Sequence, residues 1–362
     1  MMKKIITMIL ALVVLFTLAA CNTGGSKSDG DLIGVAMPNR TTERWVIEGD
    51  IMQAKLEAAG YAVDLQYAND DVPTQVSQVE NMITKGAKFL IICSIDGAAL
   101  SGPLAKAKAA GIPILAYDRL LMETDDVDYF VGFFSTAIGN LMGESLMKGI
   151  DADNASADDP LYIELFAGSL DDSNTQYYFY GAMEKIQPYI NDGKVVVKSG
   201  QVTLNEVATD GWSEIVAQSR MENLLSAHYT DDTLAGVLSP YDGLSLGILA
   251  ALKAVGYGTS MPIPKITGQD CEPPSLISIW NDEQYSSIYL DFELLAGRAS
   301  KMAIQYMTGE EVELVETDET FNGVKNVPAY LESAFELTKD NLVELAVEKG
   351  KLITMKELEA SA

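Results

Sequence analysis

From Leu32 onward, short apolar runs alternate with longer stretches in which apolar residues recur every three or four positions. The short continuous runs read as buried strands and the periodic stretches as helices. In the first half the pattern predicts strands at 32–37, 61–67 and 89–93, a strand opening at Ile112-Pro-Ile-Leu, and one at 129–134. Helices are expected at 44–59, closed by Gly60, and from Asp71-Val-Pro73 to Gly86, with Val72, Val76, Val79 and Ile83 on one face. A third is expected at 98–110, stopped by Gly111. After an Asp-rich gap at 151–160 the alternation restarts. Strands are predicted at 161–166, 194–198, 235–239, 265–268 and 285–289, and helices at 175–190, 213–226, 244–255 and 275–281. A long helix at 292–308 is expected to return to the first unit, and the pattern weakens beyond Val327.

Two runs of βα units imply an α/β protein with two doubly wound parallel-sheet lobes joined by a hinge. The expected division places residues 32–134 and 291–320 in an N-terminal lobe, and 135–290 and 321–362 in a C-terminal lobe. Ligands of such sheets gather at the carboxyl ends of the strands. A cleft between domains is a favoured small-molecule site, and the architecture suits hinge closure.

The segment before Leu32 has a different character. Lys3 and Lys4 precede an apolar run from Ile5 to Ala20 that ends Leu18-Ala-Ala-Cys21. A charged start, an apolar middle and small residues before a cut mark residues 1–20 as a secretory signal. The run is short for the roughly 20 apolar residues of a membrane span. The Leu-Ala-Ala-Cys ending resembles a bacterial lipobox, which implies lipidation of Cys21. Residues 21–31, made mostly of Gly, Ser and other polar residues, then form a flexible tether. The expected location is extracytoplasmic, on a membrane, by an N-terminal lipid.

Composition narrows the function. The 362 residues are 48% hydrophobic and 21% charged, with a net charge of −27. Such a chain is a poor partner for nucleic acid, whose phosphates need Lys and Arg. It suits an uncharged ligand better than a phosphate. Cys93 and Cys271 fall at the ends of different predicted strands, where two buried thiols are expected rather than a disulfide. The acidic stretch 151–159 has Ala155 and Ser156 where a calcium loop needs a ligand and a glycine, so no metal is expected. Enzymatic candidates are thin. The single histidine, His228, lies on a polar helix end away from the strand ends, and no Gly-rich phosphate loop follows a strand. No cofactor is implied.

Polar and aromatic residues instead collect at the predicted strand ends: Arg40-Thr-Thr-Glu-Arg-Trp45, Ser94-Ile-Asp-Gly97, Ala116-Tyr-Asp-Arg119, Glu164 to Asn174 (ELFAGSLDDSN), Leu238-Ser-Pro-Tyr-Asp-Gly243 and Gly268-Gln-Asp270. In this order, and with Gln75 to Gly86 (QVSQVENMITKG), they resemble the type I periplasmic sugar-binding proteins of ABC transporters, in the xylose, galactose and multiple-monosaccharide branch. The resemblance runs from Leu32 to Thr338. It implies a monomer that binds one pentose or hexose, closes, and presents it to a permease and its ATPase. A sugar sensor serving a membrane chemoreceptor or kinase is the alternative. Gene repressors share the two-lobed core but carry a DNA-binding segment where this chain has a signal.

The chemistry of the motif residues agrees. A pyranose has hydroxyls at its edge and C–H bonds on its faces, so planar polar side chains suit the edge and aromatics the faces. The resemblance assigns edge contacts to Arg44, Asp118, Arg119 and Asn174, and face stacking to Trp212. Asp242 and Asp270, each ending a predicted strand on the second lobe's ligand edge, are read as hydroxyl acceptors, with helix N-capping the alternative for them and for Asn174. Trp45 is open between stacking and packing beneath its helix. Tyr117, Tyr241 and Gln269 are expected in the wall. Two departures stand out: Phe134-Ser135 where relatives often carry Asp-Asn, and Leu290 where they often carry Lys or Asn. An apolar side chain facing a buried hydroxyl forfeits about 1 kcal/mol. The departures therefore point to a pentose, or to a deoxy or lightly substituted hexose.

Overall fold

The computed structural model describes residues 30–315, 317 and 319–361. The expected signal, Cys21 and nearly all of the tether lie outside the described residues.

The first half forms β1 (Leu32–Met37), α1 (Glu43–Ala58), β2 (Ala62–Tyr67), α2 (Val72–Thr84), β3 (Phe89–Ile92), α3 (Ser101–Ala109), β4 (Ile114–Tyr117) and β5 (Tyr129–Phe133). Local signals explain the boundaries. Asp71 caps α2 by accepting from Thr74 N at 2.8 Å, with Pro73 in the first turn where no N–H is needed. Pro113 lies just outside β4 rather than within it, since it has no N–H for the ladder.

The chain then enters the second lobe through a helix absent from the sequence reading, α4 (Ser135–Gly149). There follow β6 (Leu161–Leu165), α5 (Asn174–Asn191), β7 (Val195–Val197), α6 (Glu214–His228), β8 (Gly236–Leu238), α7 (Asp242–Ala254), β9 (Lys265–Ile266), α8 (Pro273–Trp280) and β10 (Ser286–Tyr289). The helices α4 and α5 pack backbone to backbone. Gly139 and Gly143 of α4 lie where a Cβ would strike the α5 main chain at Tyr178 and Ala182. This close approach fixes α5, whose first turns face the cleft.

The helix α9 (Phe292–Thr308) packs against α1. The tail then departs from the expected division. Strand β11 (Ala329–Glu332) pairs in parallel with β5, in the six-stranded order β11-β5-β4-β3-β1-β2. Asn322 donates to the carbonyls of Leu121 and Thr124 at 3.0 and 2.7 Å. Residues 321–332 thus lie with the first lobe, not the second. Their strand was illegible because β11 is a four-residue edge with little periodicity. Only from β12 (Phe335–Thr338), antiparallel to β10, does the chain rejoin the second lobe.

The second sheet has the order β7-β6-β8-β9, all parallel. Each sheet is covered on both faces. One apolar cluster runs from Val35 and Leu115 through Ile138 and Met142 to Ile163 and Leu165, so it spans both lobes. The outer faces have their own clusters, around Leu90 and Leu104 in the first lobe and around Val237 and Leu252 in the second. With both faces buried, the strands read as unbroken apolar runs. The chain crosses between lobes three times, near 134, 290 and 333, and both sheets turn their strand ends to one cleft.

Candidate functional site

The cleft holds a cavity of about 350 Å³. Its lining joins Arg44 and Trp45 from α1, Asp118 and Arg119 after β4, and Asn174 and Tyr178 on α5 with Trp212, Tyr241, Gln269 and Asp270. The volume falls at the lower end of the range for small-molecule sites.

Arg44, in the first turn of α1, is the hub. Its Nη2 donates to Asp118 Oδ1 at 2.7 Å and to Glu48 Oε1 at 3.0 Å, and its Nη1 donates to Asp270 Oδ1 at 3.1 Å. The last bond crosses the cleft, since Asp270 belongs to the second lobe. Burial opposes the charge of Arg44, but its acidic neighbours, Asp118 foremost, outweigh it and hold the guanidinium protonated. Glu48, one helical turn behind, is fully buried, and burial pushes its carboxyl up to about 8 despite Arg44. Burial also raises Asp270, with Arg44 opposing.

A second bridge stands across the cleft. Arg119 Nε lies 2.9 Å from Asp172 Oδ2, an ion pair without hydrogen-bond alignment, while Arg119 Nη1 donates to the carbonyl of Ser94 at 3.2 Å. Burial raises the Asp172 carboxyl against the pull of Arg119. Asn174 Nδ2 donates to the carbonyl of Asp118 at 2.9 Å, and Leu120 N donates to Ser173 Oγ at 2.9 Å. The lobes are therefore closed on each other.

The aromatic residues divide. Trp45 lies beneath both guanidiniums, with Arg44 Cζ 4.2 Å and Arg119 Cζ 5.5 Å from its ring, and so braces the two cations. Trp212 meets Tyr241 edge-on at 6.0 Å between centroids. Gly168 makes room for it, since a Cβ there would collide with the indole. Four non-glycine lining residues have left-handed backbones: Asp70 at φ 58°, Asp118 at φ 60°, Trp212 at φ 53° and Asp270 at φ 88°. That conformation costs about 1 kcal/mol or more in each and gathers at sites where side-chain aim matters.

Nine of the eleven expected contact or wall residues thus surround one cavity: Arg44, Trp45, Asp118, Arg119, Asn174, Trp212, Tyr241, Gln269 and Asp270. Two do not. Asp242 is wholly buried at the start of α7, where its carboxylate accepts from Gln284 Nε2 at 2.9 Å, Ser287 Oγ at 3.0 Å and Glu272 N at 3.0 Å. It ties the loops of the second lobe together. Tyr117 is also fully buried and points into the core, because the last residue of β4 alternates away from the cleft. The two sequence departures also lie outside the lining. Ser135 bonds Asn174 at 3.1 Å, and Leu290 faces a separate hinge-side cavity of about 710 Å³ behind Arg44 and Asp270. The reasoning from Phe134 and Leu290 to a ligand lacking a hydroxyl has no geometric support.

Sequence reasoning passed over Asn39, Glu48, Asp172 and Tyr178. Asp172 sat inside a motif already singled out. Glu48 follows Arg44 by four residues and Tyr178 follows Asn174 by four, so helical spacing carried the signal. Cys93 and Cys271 are free and buried.

Residues 33–311 match the periplasmic binding protein domain. The chain is 46% identical over 324 residues to the multiple sugar-binding periplasmic receptor ChvE of Rhizobium radiobacter, covering 89% of this chain and 91% of that one. It is 31% identical over 319 residues to the D-xylose-binding periplasmic protein of Escherichia coli, covering 88% and 90%. The solved structure of an ABC transporter solute binding protein from Clostridium phytofermentans, with bound β-D-glucose, superposes at a TM-score of 0.86 and 39% identity, covering 91% of this chain and all of that one. These relatives are receptors and not enzymes; the chain belongs to the periplasmic binding protein family, in its sugar-binding branch.

Proposed function

We propose that this protein captures one monosaccharide between its lobes outside the cytoplasm and delivers it to an ABC importer, a permease with its ATPase. The observation that carries the reading is the 350 Å³ cavity whose polar lining comes from both lobes. Asp118 and Asp270 each use one carboxylate oxygen for Arg44 and keep the other for ligand hydroxyls. Trp212 supplies an apolar face. A ligand that touches both rims binds the closed form better than the open one and so shifts the equilibrium towards it. The relatives named above bind xylose, several sugars or glucose, which favours an unmodified pentose or hexose. Lipidation of Cys21 and the tether hold the protein, as a monomer, near the permease.

A thermal-shift screen against monosaccharides tests the capture step, since a ligand bound only by the native state raises the melting temperature. A rise with at least one aldopentose or aldohexose is expected; none with any of them overturns the reading. Uptake of the selected sugar by cells lacking the protein separates transport from sensing. Unchanged uptake, with loss of a sugar-dependent response, assigns the protein to a sensor.

A further inference from the structure

Tyr178 is held to the cleft by α5, one turn after Asn174, and only 6% of its surface is exposed. It lines the cavity. Several of its neighbours are engaged elsewhere: Tyr241 donates to Glu272 Oε1 at 2.7 Å, Gln269 Nε2 lies 3.3 Å from Asp270 Oδ1, and Asn174 bridges Ser135 and Asp118, while Gln269 Oε1 and Trp212 Nε1 have no partner among the described residues. Among the described residues the Tyr178 hydroxyl has no hydrogen-bond partner. With no partner and a place in the cavity wall, the hydroxyl is a donor available to a ligand oxygen. Burial, with Asp118, Asp172 and Asp270 nearby, raises its ionisation well above the ordinary tyrosine value, which keeps it a donor.

The same carboxylates decide what it donates to. Both oxygens of Asp172 are occupied, by Asn174 N and by Arg119. Asp118 and Asp270 each engage one oxygen and leave the other without a hydrogen-bond partner among the described residues, and both line the same cavity as Tyr178. A ligand atom seated there meets a donor on one side and an acceptor on the other, and a hydroxyl satisfies both. Resting on the monosaccharide reading above, we propose that Tyr178 is a specificity-determining residue. Its O–H donates to one sugar hydroxyl whose own proton goes to Asp118 or Asp270. The cleft would thereby demand a hydroxyl at that ring position and reject a deoxy or O-alkyl group.

The test is a mutant-by-ligand cycle by titration calorimetry. Wild type and Tyr178→Phe are each titrated with the tightest binder among D-glucose, D-galactose and D-xylose, and with each of its monodeoxy analogues. The variant keeps the ring and should melt within a degree or two of wild type without ligand. The parent sugar should bind about tenfold more weakly to the variant, the size of one hydrogen bond. At one ring position alone, the deoxy penalty should be about tenfold smaller in the variant than in wild type. Equal affinity of both proteins for the parent sugar overturns the assignment. So does a variant whose deoxy penalties equal those of wild type at every position, which would place the phenol against the ring oxygen or against none. A wild type that binds none of the three sugars instead removes the monosaccharide reading on which the assignment rests.

Discussion

Replacing Glu48 by Gln should change how stability depends on pH. Glu48 has no exposed surface, and its carboxyl titrates near 8 in the native state against an ordinary 4.5. Below about pH 4.5 it is protonated in both folded and unfolded chains and contributes no pH dependence. As pH rises from there to about 8, the unfolded chain releases the proton while the native state keeps it. Native stability therefore falls, by about 1.4 kcal/mol per pH unit, and the whole window is worth on the order of 5 kcal/mol. Above pH 8 both states are ionised and the loss is complete. Gln keeps an acceptor for Arg44 Nη2 and never ionises. Relative to wild type, Glu48→Gln should thus gain stability between pH 5 and pH 8. Burial also raises Asp172, Asp270 and Glu272, but these are present in both proteins and to first order drop out of the difference. Urea denaturation at pH 5, 6.5 and 8, extrapolated linearly to water, measures it. A stability difference that is the same at pH 5 and pH 8 refutes the reasoning, because Glu48 would then ionise alike in both states.

Three further outcomes follow from the geometry. Trp212→Ala should weaken sugar binding about tenfold or more in a calorimetric titration, through loss of the stacking face; an unchanged Kd would mean the indole serves only to pack on Tyr241. Asp242→Ala should cost about 3 kcal/mol in a urea melt by removing the acceptor of three hydrogen bonds, yet leave sugar affinity within about twofold; weak binding at full stability would return Asp242 to the ligand. The buried thiols of Cys93 and Cys271, with ionisation raised by burial, should react with Ellman's reagent only after denaturation. Prompt labelling of either cysteine in the folded protein, located by peptide mass mapping, contradicts this.

The sequence made the βα alternation legible because strands buried on both faces, such as Phe89–Ile92, are continuous apolar runs between glycine stops. It made most of the cleft legible because the polar residues follow those runs directly, as Asp118-Arg119 follows β4 and Gln269-Asp270 follows β9. Helix α4 was missed because Gly139, Gly143 and Gly149 interrupt its propensity, and those glycines are present for close contact with its neighbours. Asp242 was misplaced because a carboxylate at a strand-to-helix turn looks the same from the sequence whether it faces the cleft or binds adjoining loops. Only three-dimensional partners such as Gln284 and Ser287 tell the two apart, and they come more than forty residues later.

The position of β11 bears on how the chain is made. It is the outermost strand of the first sheet, yet it is synthesised after nearly everything else. Until residue 332 has emerged, β5 presents an open row of main-chain donors and acceptors on an apolar strand, the kind of edge that recruits foreign strands. The earliest lobe to appear is consequently among the last to be finished. A polypeptide interrupted anywhere between 134 and 329 should be sticky and short-lived rather than a usable half-protein.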